Sequence, residues 1–151
     1  MKHFVRSAVA IALFASILVA GDKRGTPAQA EAMVKKAIEF IKANGNEKAF
    51  AEISNKEGKF VDGDLYCFVY DMTGKCLAHG GNIKQVGKDL IDLKDPDGKA
   101  FVKERVEIAK SKGKGWQNYK WSNPTTSAIE EKTAYVEKCG TVIVGCGAYK
   151  K

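Results

Sequence analysis

The sequence predicts an α+β domain: one small antiparallel sheet of five strands, interrupted once by a helix, with N-terminal helices packed on one face. Three observations predict it. From Asp64 to Tyr149 the pattern reads strand, tight turn, strand, helix, aromatic strand, strand, turn, strand. From Thr26 to Asn55 the apolar residues recur with helical spacing instead. The 151 residues, 44% hydrophobic and 28% charged, suit one folded domain with a real core, and argue against disorder.

The first thirty residues form a separate unit. Lys2, His3 and Arg6 precede an apolar run from Ser7 to Ala20, and charge returns at Asp22, Lys23 and Arg24, the pattern of an export signal. The run is shorter than the roughly 20 residues of a spanning helix, which favours cleavage over permanent anchorage through residues 7–20. Removal is expected after Ala20 or after the Ala28-Gln29-Ala30 triplet. The expected organisation is residues 1–30 as signal and leader and 31–151 as one domain, located in an extracytoplasmic space, most simply a periplasm.

Thr26-Pro27 opens the first helix, because threonine caps and proline suits the first turn. Val34, Ala37, Ile38 and Ile41 share its inner face, and Asn44-Gly45 stops it. A shorter helix follows from Asn46 to about Asn55 with Phe50 and Ile53 inward, and Lys56 to Asp64 is a loop. Leu65 to Tyr70 is a strand, Asp71-Met72-Thr73-Gly74 a turn, and Cys76 to His79 its partner strand. The connection from Asn82 to Leu93 carries Ile83, Val86, Leu90, Ile91 and Leu93, which are expected to pack locally. Asp95-Pro96 is expected to cap a third helix with Phe101, Val102, Val106 and Ala109 on one face and Lys103, Glu104, Glu107 and Lys110 outside. Trp116 to Trp121, Lys132 to Glu137 and Thr141 to Tyr149 complete the sheet, and the near-continuous apolar character of the last strand predicts a central position.

The full chain carries a net charge of +7. Without residues 1–30 the 25 bases and 18 acids fall to 21 and 17, leaving +4. The remaining Lys and Arg are dispersed among acids with no basic stripe, so a nucleic-acid partner is not expected, although a mild positive field favours small anions. His79 is the one histidine outside the leader and there is no CxxC, so neither a c-type haem nor a Cys/His zinc site is expected, and no cofactor is implied. Cys67, Cys76, Cys139 and Cys146 permit two disulfides in three alternative pairings. Simple hairpin registers do not set Cys67 against Cys76 or Cys139 against Cys146, so a bridge would join different hairpins. The alternative is four small buried hydrophobes.

The hairpin Asp64 to Gly80 with Tyr-Asp-Met-Thr-Gly and Leu-Ala-His-Gly, the segment Val86-Gly87-Lys88-Asp89-Leu90, and the helix after Asp95-Pro96-Asp97-Gly98 come in a definite order. The string from Gly115-Trp116 through Tyr119 and Trp121 to Asn123-Pro124, and the close from Tyr135-Val136-Glu137-Lys138 to Val144-Gly145-Cys146-Gly147-Ala148-Tyr149, continue it. Together they resemble a single Cache domain of the second type over nearly the whole chain after the leader. The resemblance implies a PAS-like antiparallel sheet of five strands with a long N-terminal helix. It further implies an extracytoplasmic sensing role that recognises small organic acids, amino acids or similar metabolites for chemoreceptors or sensor kinases. The cysteines stand where members of the family more usually carry apolar residues.

A carboxylate site needs cationic or N–H donors at the end of an apolar cleft with aromatic walls. The candidates for it are Trp116, Tyr119, Lys132, Tyr135, His79 and Arg105. Each has a plainer role: Trp116 as a sheet-covering aromatic, Arg105 and Lys132 as surface ion-pair partners of adjacent glutamates, His79 as a loop hydrogen-bonding group. Strict alternation puts Trp116 and Tyr119 on opposite faces, so both reach one cavity only across a bulge. No GxSxG, no HExxH and no acid pair at a working spacing occurs, so an enzyme is not expected. Two readings follow. One is a periplasmic module binding a small carboxylate or similar metabolite in signal transduction or chemotaxis. The other is a structural or interaction protein, docking on a membrane partner or pairing with itself, with no ligand.

Overall fold

A computed structural model describes residues 24–150. The apolar run at 7–20 and the cleavage position after Ala20 lie outside the described residues, among which no helix is long and apolar enough to cross a membrane.

Helix α1 spans Pro27–Asn44 and α2 spans Asn46–Ile53. Thr26 and Gln29 form a reciprocal capping box at the start of α1, and Gly45, at φ 80°, adopts the positive angle that ends it. The sheet contains β1 (Val61–Asp62), β2 (Leu65–Asp71), β3 (Cys76–His79), β4 (Lys114–Ser122), β5 (Ile129–Cys139) and β6 (Val142–Tyr149), with α3 (Phe101–Ser111) inserted before β4. The order is β1-β2-β6-β5-β4, all antiparallel, and β3 pairs with the outer edge of β2 beside β1. The five expected strands are present. The sixth, β1, lies in the stretch expected to be a loop, and its two residues are too few to show a period of two.

Strand β6 lies between β2 and β5 and is buried along its whole length, as its unbroken apolar character predicts. Each central strand sends alternate residues to opposite faces. Cys67, Val69, Val144 and Cys146 meet Ala30, Val34, Ala37, Ile38 and Ile41 of α1. Tyr66, Phe68, Tyr70 and Ile143 meet Phe101, Val102, Val106 and Ala109 of α3. Two cores thus sandwich one sheet, with α1 and α2 on the first face and α3 on the second.

Three local expectations are corrected. Helix α3 begins at Phe101 after Ala100, and Asp95-Pro96 does not cap it. Asp95 instead accepts N–H bonds from Asp97 and Lys99 in a turn closed by Gly98 at φ 83°, and a third from Lys120 on the open edge of β4. The positive angle at Gly98 is incompatible with helix, so the helix starts later. In the connection, Leu90, Ile91 and Leu93 pack against the second core as expected, whereas Ile83 and Val86 are exposed. Arg105 and Lys132 are not surface ion-pair partners, since both are fully buried.

Candidate functional site

The second face of the sheet holds an unusual concentration of buried polar groups. Gln117, Tyr119 and Trp121 share the parity of β4 that points at α3, Lys132 shares the parity of Ala134 and Val136 on β5, and Arg105 lies on α3 between Phe101 and Ala109. The Arg105 guanidinium donates from Nε to Gln117 Oε1 at 2.9 Å and from Nη2 to Tyr119 Oη at 3.3 Å. Its carbon lies 4.0 Å from the ring centre of Phe68 and 4.7 Å from that of Tyr70. Gln117 is itself held by donating to the Phe101 carbonyl at 2.9 Å and to Glu104 at 3.2 Å. Phe101 stacks on Tyr119 with centroids 4.6 Å apart.

Lys132 stands in a second aromatic box. Its Nζ lies 3.8 Å from the ring centre of Tyr66 and 4.7 Å from that of Tyr149, and donates a long 3.5 Å bond to Tyr149 Oη. Tyr149 donates to the Ser122 carbonyl at 2.7 Å, so in the 3.2 Å contact between the two phenols the proton comes from Tyr66. His79 faces Tyr66 at 5.0 Å between centroids, and its Nδ1 accepts from the Asn82 N–H at 2.9 Å. The neutral ring therefore carries its proton on Nε2 as a donor.

Among the described residues, neither Arg105 nor Lys132 has a carboxylate within ion-pair distance. A buried charge ordinarily demands a partner; here aromatic faces supply part of the compensation, on the order of 2 kcal/mol for a desolvated cation on a ring. The remaining imbalance appears in the ionisation. Burial, with the Arg105 charge acting in the same direction, brings the Lys132 ammonium down to about 7 from 10.5. Burial and the two cations hold His79 neutral, at about 3. Burial also drives the Tyr66 and Tyr149 hydroxyls well above 10, so both remain protonated donors.

A cavity of about 120 Å³ is lined by Tyr66, one of the rings around Lys132, and by His79, Gly81, Asn82, Trp121 and Ser122 together with Pro124; neither Lys132 nor Arg105 lines it. A second hollow of about 160 Å³ touches Tyr119 and Lys132 from the sheet edge. Asp95, Asp97 and Glu131 line it together with Lys99, Lys120, Lys132 and Lys150, so three carboxylates there face four lysines.

Of the residues singled out from sequence, the structure brings together Tyr119, Lys132, His79 and Arg105. It does not bring Trp116 and Tyr135 to them. The β4–β5 register runs without a bulge, so these two pair with each other on the α1 face, with ring centres 5.3 Å apart. There Tyr135 donates to Glu137 and accepts from Lys35, while Trp116 is exposed. Tyr66, Phe68, Gln117 and Tyr149 were not singled out as site residues. Their shared parity with Tyr119 and Lys132 across paired strands is the signal that marks them. All four cysteines are free thiols in the structure.

A family model described as "Single Cache domain 2" matches residues 23–151. The chain is 36% identical over 88 residues to the sensor histidine kinase MctS of Rhizobium johnstonii, covering 57% of this chain and 19% of that protein. It is 36% identical over 90 residues to the methyl-accepting chemotaxis protein McpP of Pseudomonas putida, covering 58% and 16%. The matched region is therefore under a fifth of either relative's length. A solved periplasmic sensor domain of a chemotaxis protein superposes with a TM-score of 0.73 at 24% identity, covering 83% of this chain and 95% of that one. A Cache chemosensory domain solved for its carboxylic acid recognition superposes with a TM-score of 0.70 at 29% identity, covering 82% and 92%.

Proposed function

The chain belongs to the single Cache domain 2 family, and on that premise we propose that it is an extracytoplasmic sensory domain that takes a small carboxylate as counterion to Arg105 and Lys132. The observation that carries this reading is the pair of fully buried cations that, among the described residues, have no carboxylate within ion-pair distance. A carboxylate bound in the cavity beside His79 supplies the missing charge, accepts from the His79 Nε2 proton and is walled by Tyr66 and Trp121, while Lys132, which stands against the Tyr66 ring and does not line the cavity, acts on it through its field. Cavity volume limits the guest: about 120 Å³ lies well below the roughly 300–1,000 Å³ of drug-sized sites, which favours acids of a few heavy atoms. An amino acid fits less well, because its ammonium would enter a region already holding two positive groups.

Export follows from the leader. Removal after Ala20 keeps Arg24 and Gly25, which bond to Glu130 and Asp64, whereas removal after Ala30 would delete them and the cap of α1. The names of the relatives, a sensor kinase and a chemotaxis protein, support a membrane receptor or kinase as the partner on the output side.

Thermal melting of the purified protein with acetate, propionate, lactate and succinate tests the reading. A binding acid at about a hundredfold excess over its Kd should raise Tm by roughly 10 °C, and Arg105→Lys should weaken it by losing the planar fork. No shift with any acid in the panel, accompanied by a stable dimer in solution, would support the self-associating alternative and end this proposal.

A further inference from the structure

We infer that Cys67 and Cys146 close a disulfide across the two central strands when the chain folds in an oxidising compartment. The two residues are direct partners in the β2–β6 ladder. The Cys67 N–H donates to the Phe60 carbonyl at 3.0 Å, and its carbonyl accepts from the Gly80 N–H at 2.9 Å, so both its backbone groups point away from β6. That identifies the couple as a non-hydrogen-bonded antiparallel pair, the closer of the two kinds, with Cα atoms about 4.5 Å apart. The separation falls inside the range of about 4.4–6.8 Å that a disulfide spans. Both side chains point to the α1 face, and both residues are fully buried.

The other cysteines do not compete. Cys76 belongs to the opposite core, where its thiol is directed at the Ala78 carbonyl, and Cys139 lies at the far end of β5 opposite Val142. Of the three arithmetical pairings, only the one containing Cys67–Cys146 has a bridge that this fold can make, and it leaves Cys76 and Cys139 reduced.

The step is a thiol–disulfide exchange with a small or protein disulfide as co-reactant. One thiolate attacks the donor disulfide and releases one donor thiol; the second cysteine then attacks the mixed disulfide and releases the other. Two cysteine S–H bonds and the donor S–S bond are lost, one protein S–S bond and two donor S–H bonds are gained, and the donor is the species reduced. In the finished fold Met33 of α1 lies against Cys146, with sulfurs 3.9 Å apart, and burial raises the Cys67 thiol well above 9. Exchange therefore belongs to the stage at which β2 and β6 have paired and α1 has not closed over them. The bridge lies directly behind Tyr66, Phe68, Gly145 and Gly147, and it ties together the two strands that form the floor of the anion site.

The full chain, refolded from the reduced state in a mixture of oxidised and reduced glutathione, tests this independently of location and ligand. After alkylation in denaturant without reductant, peptide mass spectrometry should find Cys67 linked to Cys146 and both Cys76 and Cys139 alkylated. Reductant should then lower Tm by on the order of 10 °C. Alkylated Cys67 and Cys146, or linkage of either to Cys76 or Cys139, would overturn the inference. The double variant Cys76→Ser/Cys139→Ser supplies a second measurement: loss of both titratable thiols on oxidative refolding supports the bridge, and their persistence overturns it. Carboxylate-induced melting shifts are read separately, so failure of the ligand proposal leaves this result unaffected.

Discussion

Lys132 carries a charge that its aromatic surroundings answer only in part, and under the proposed function this single residue would link stability to ligand binding. Its ammonium titrates at about 7 in the folded protein and at 10.5 in the unfolded chain. Between those values the unfolded state binds the extra proton, so stability should rise with pH across that window, and below about 7 the cost of the buried charge is fully present. An anionic guest needs the charged form, so carboxylate affinity should fall as pH rises from 6 to 9, with proton uptake on binding near neutrality. Titration calorimetry in buffers of different ionisation enthalpy reads both, and a pH-independent affinity would remove Lys132 from the site. Lys132→Met should raise the Tm of the ligand-free protein, by the equivalent of about 2 kcal/mol for a buried charge replaced by a hydrophobe. It should also abolish the carboxylate response; a variant that melts lower and still responds would contradict this account.

Two glycines of β6 make room for the side chains of Phe68 and Lys132, and they separate packing from positioning. A Cβ at Gly145 would lie 2.2 Å from Cε2 of Phe68, a rigid ring wedged under Arg105, whereas one at Gly147 would lie 2.5 Å from Cε of the flexible Lys132. Gly145→Ala should therefore cost about 1–3 kcal/mol by overpacking. Gly147→Ala should cost less in stability and more in carboxylate affinity, because it displaces the cation instead of the core. Equal stability losses in denaturant melts of the two variants would refute the distinction. Elements also show how far the sequence could be read. The helical spacing from Phe101 and Val102 to Ala109 already contains Arg105, which is four residues from each end of that face and therefore inward. Its neighbours Glu104 and Glu107 suggest a surface ion pair only if the helix period is set aside. Lys132 is similar: it alternates with Ala134 and Val136, and that parity outweighs the acidic residues before it in the chain.

Across the whole molecule, the start of α1 is fastened to the hairpin above the site. Arg24 reaches Glu130 with two bonds of 3.0 and 3.1 Å, Glu130 also accepts from Asn123 at 2.8 Å, and Gly25 donates to Asp64 at 2.8 Å. Arg24, followed by Asn123, holds the Glu130 carboxyl below its ordinary 4.5, so the latch is intact above that pH and is lost as acid protonates the group. Arg24→Ala should free the first turn of α1, read as faster amide hydrogen exchange at residues 29–31 with β2 and β6 unchanged. Unchanged exchange at those positions would show that the capping box alone holds the helix end.

The order of elements, the inner face of α1, the central place of β6 and the family resemblance were all present in the sequence, because they rest on periodicity and turn chemistry that act over a few residues. Which polar groups converge was decided only by the tertiary structure. Register across strands far apart in the chain set Lys132 over Tyr66 and brought Cys67 opposite Cys146, and the packing of α3 on the sheet set Tyr119 beside Arg105. Local patterns give the parity of each strand, but the alignment of one strand against another is a long-range property of the folded sheet.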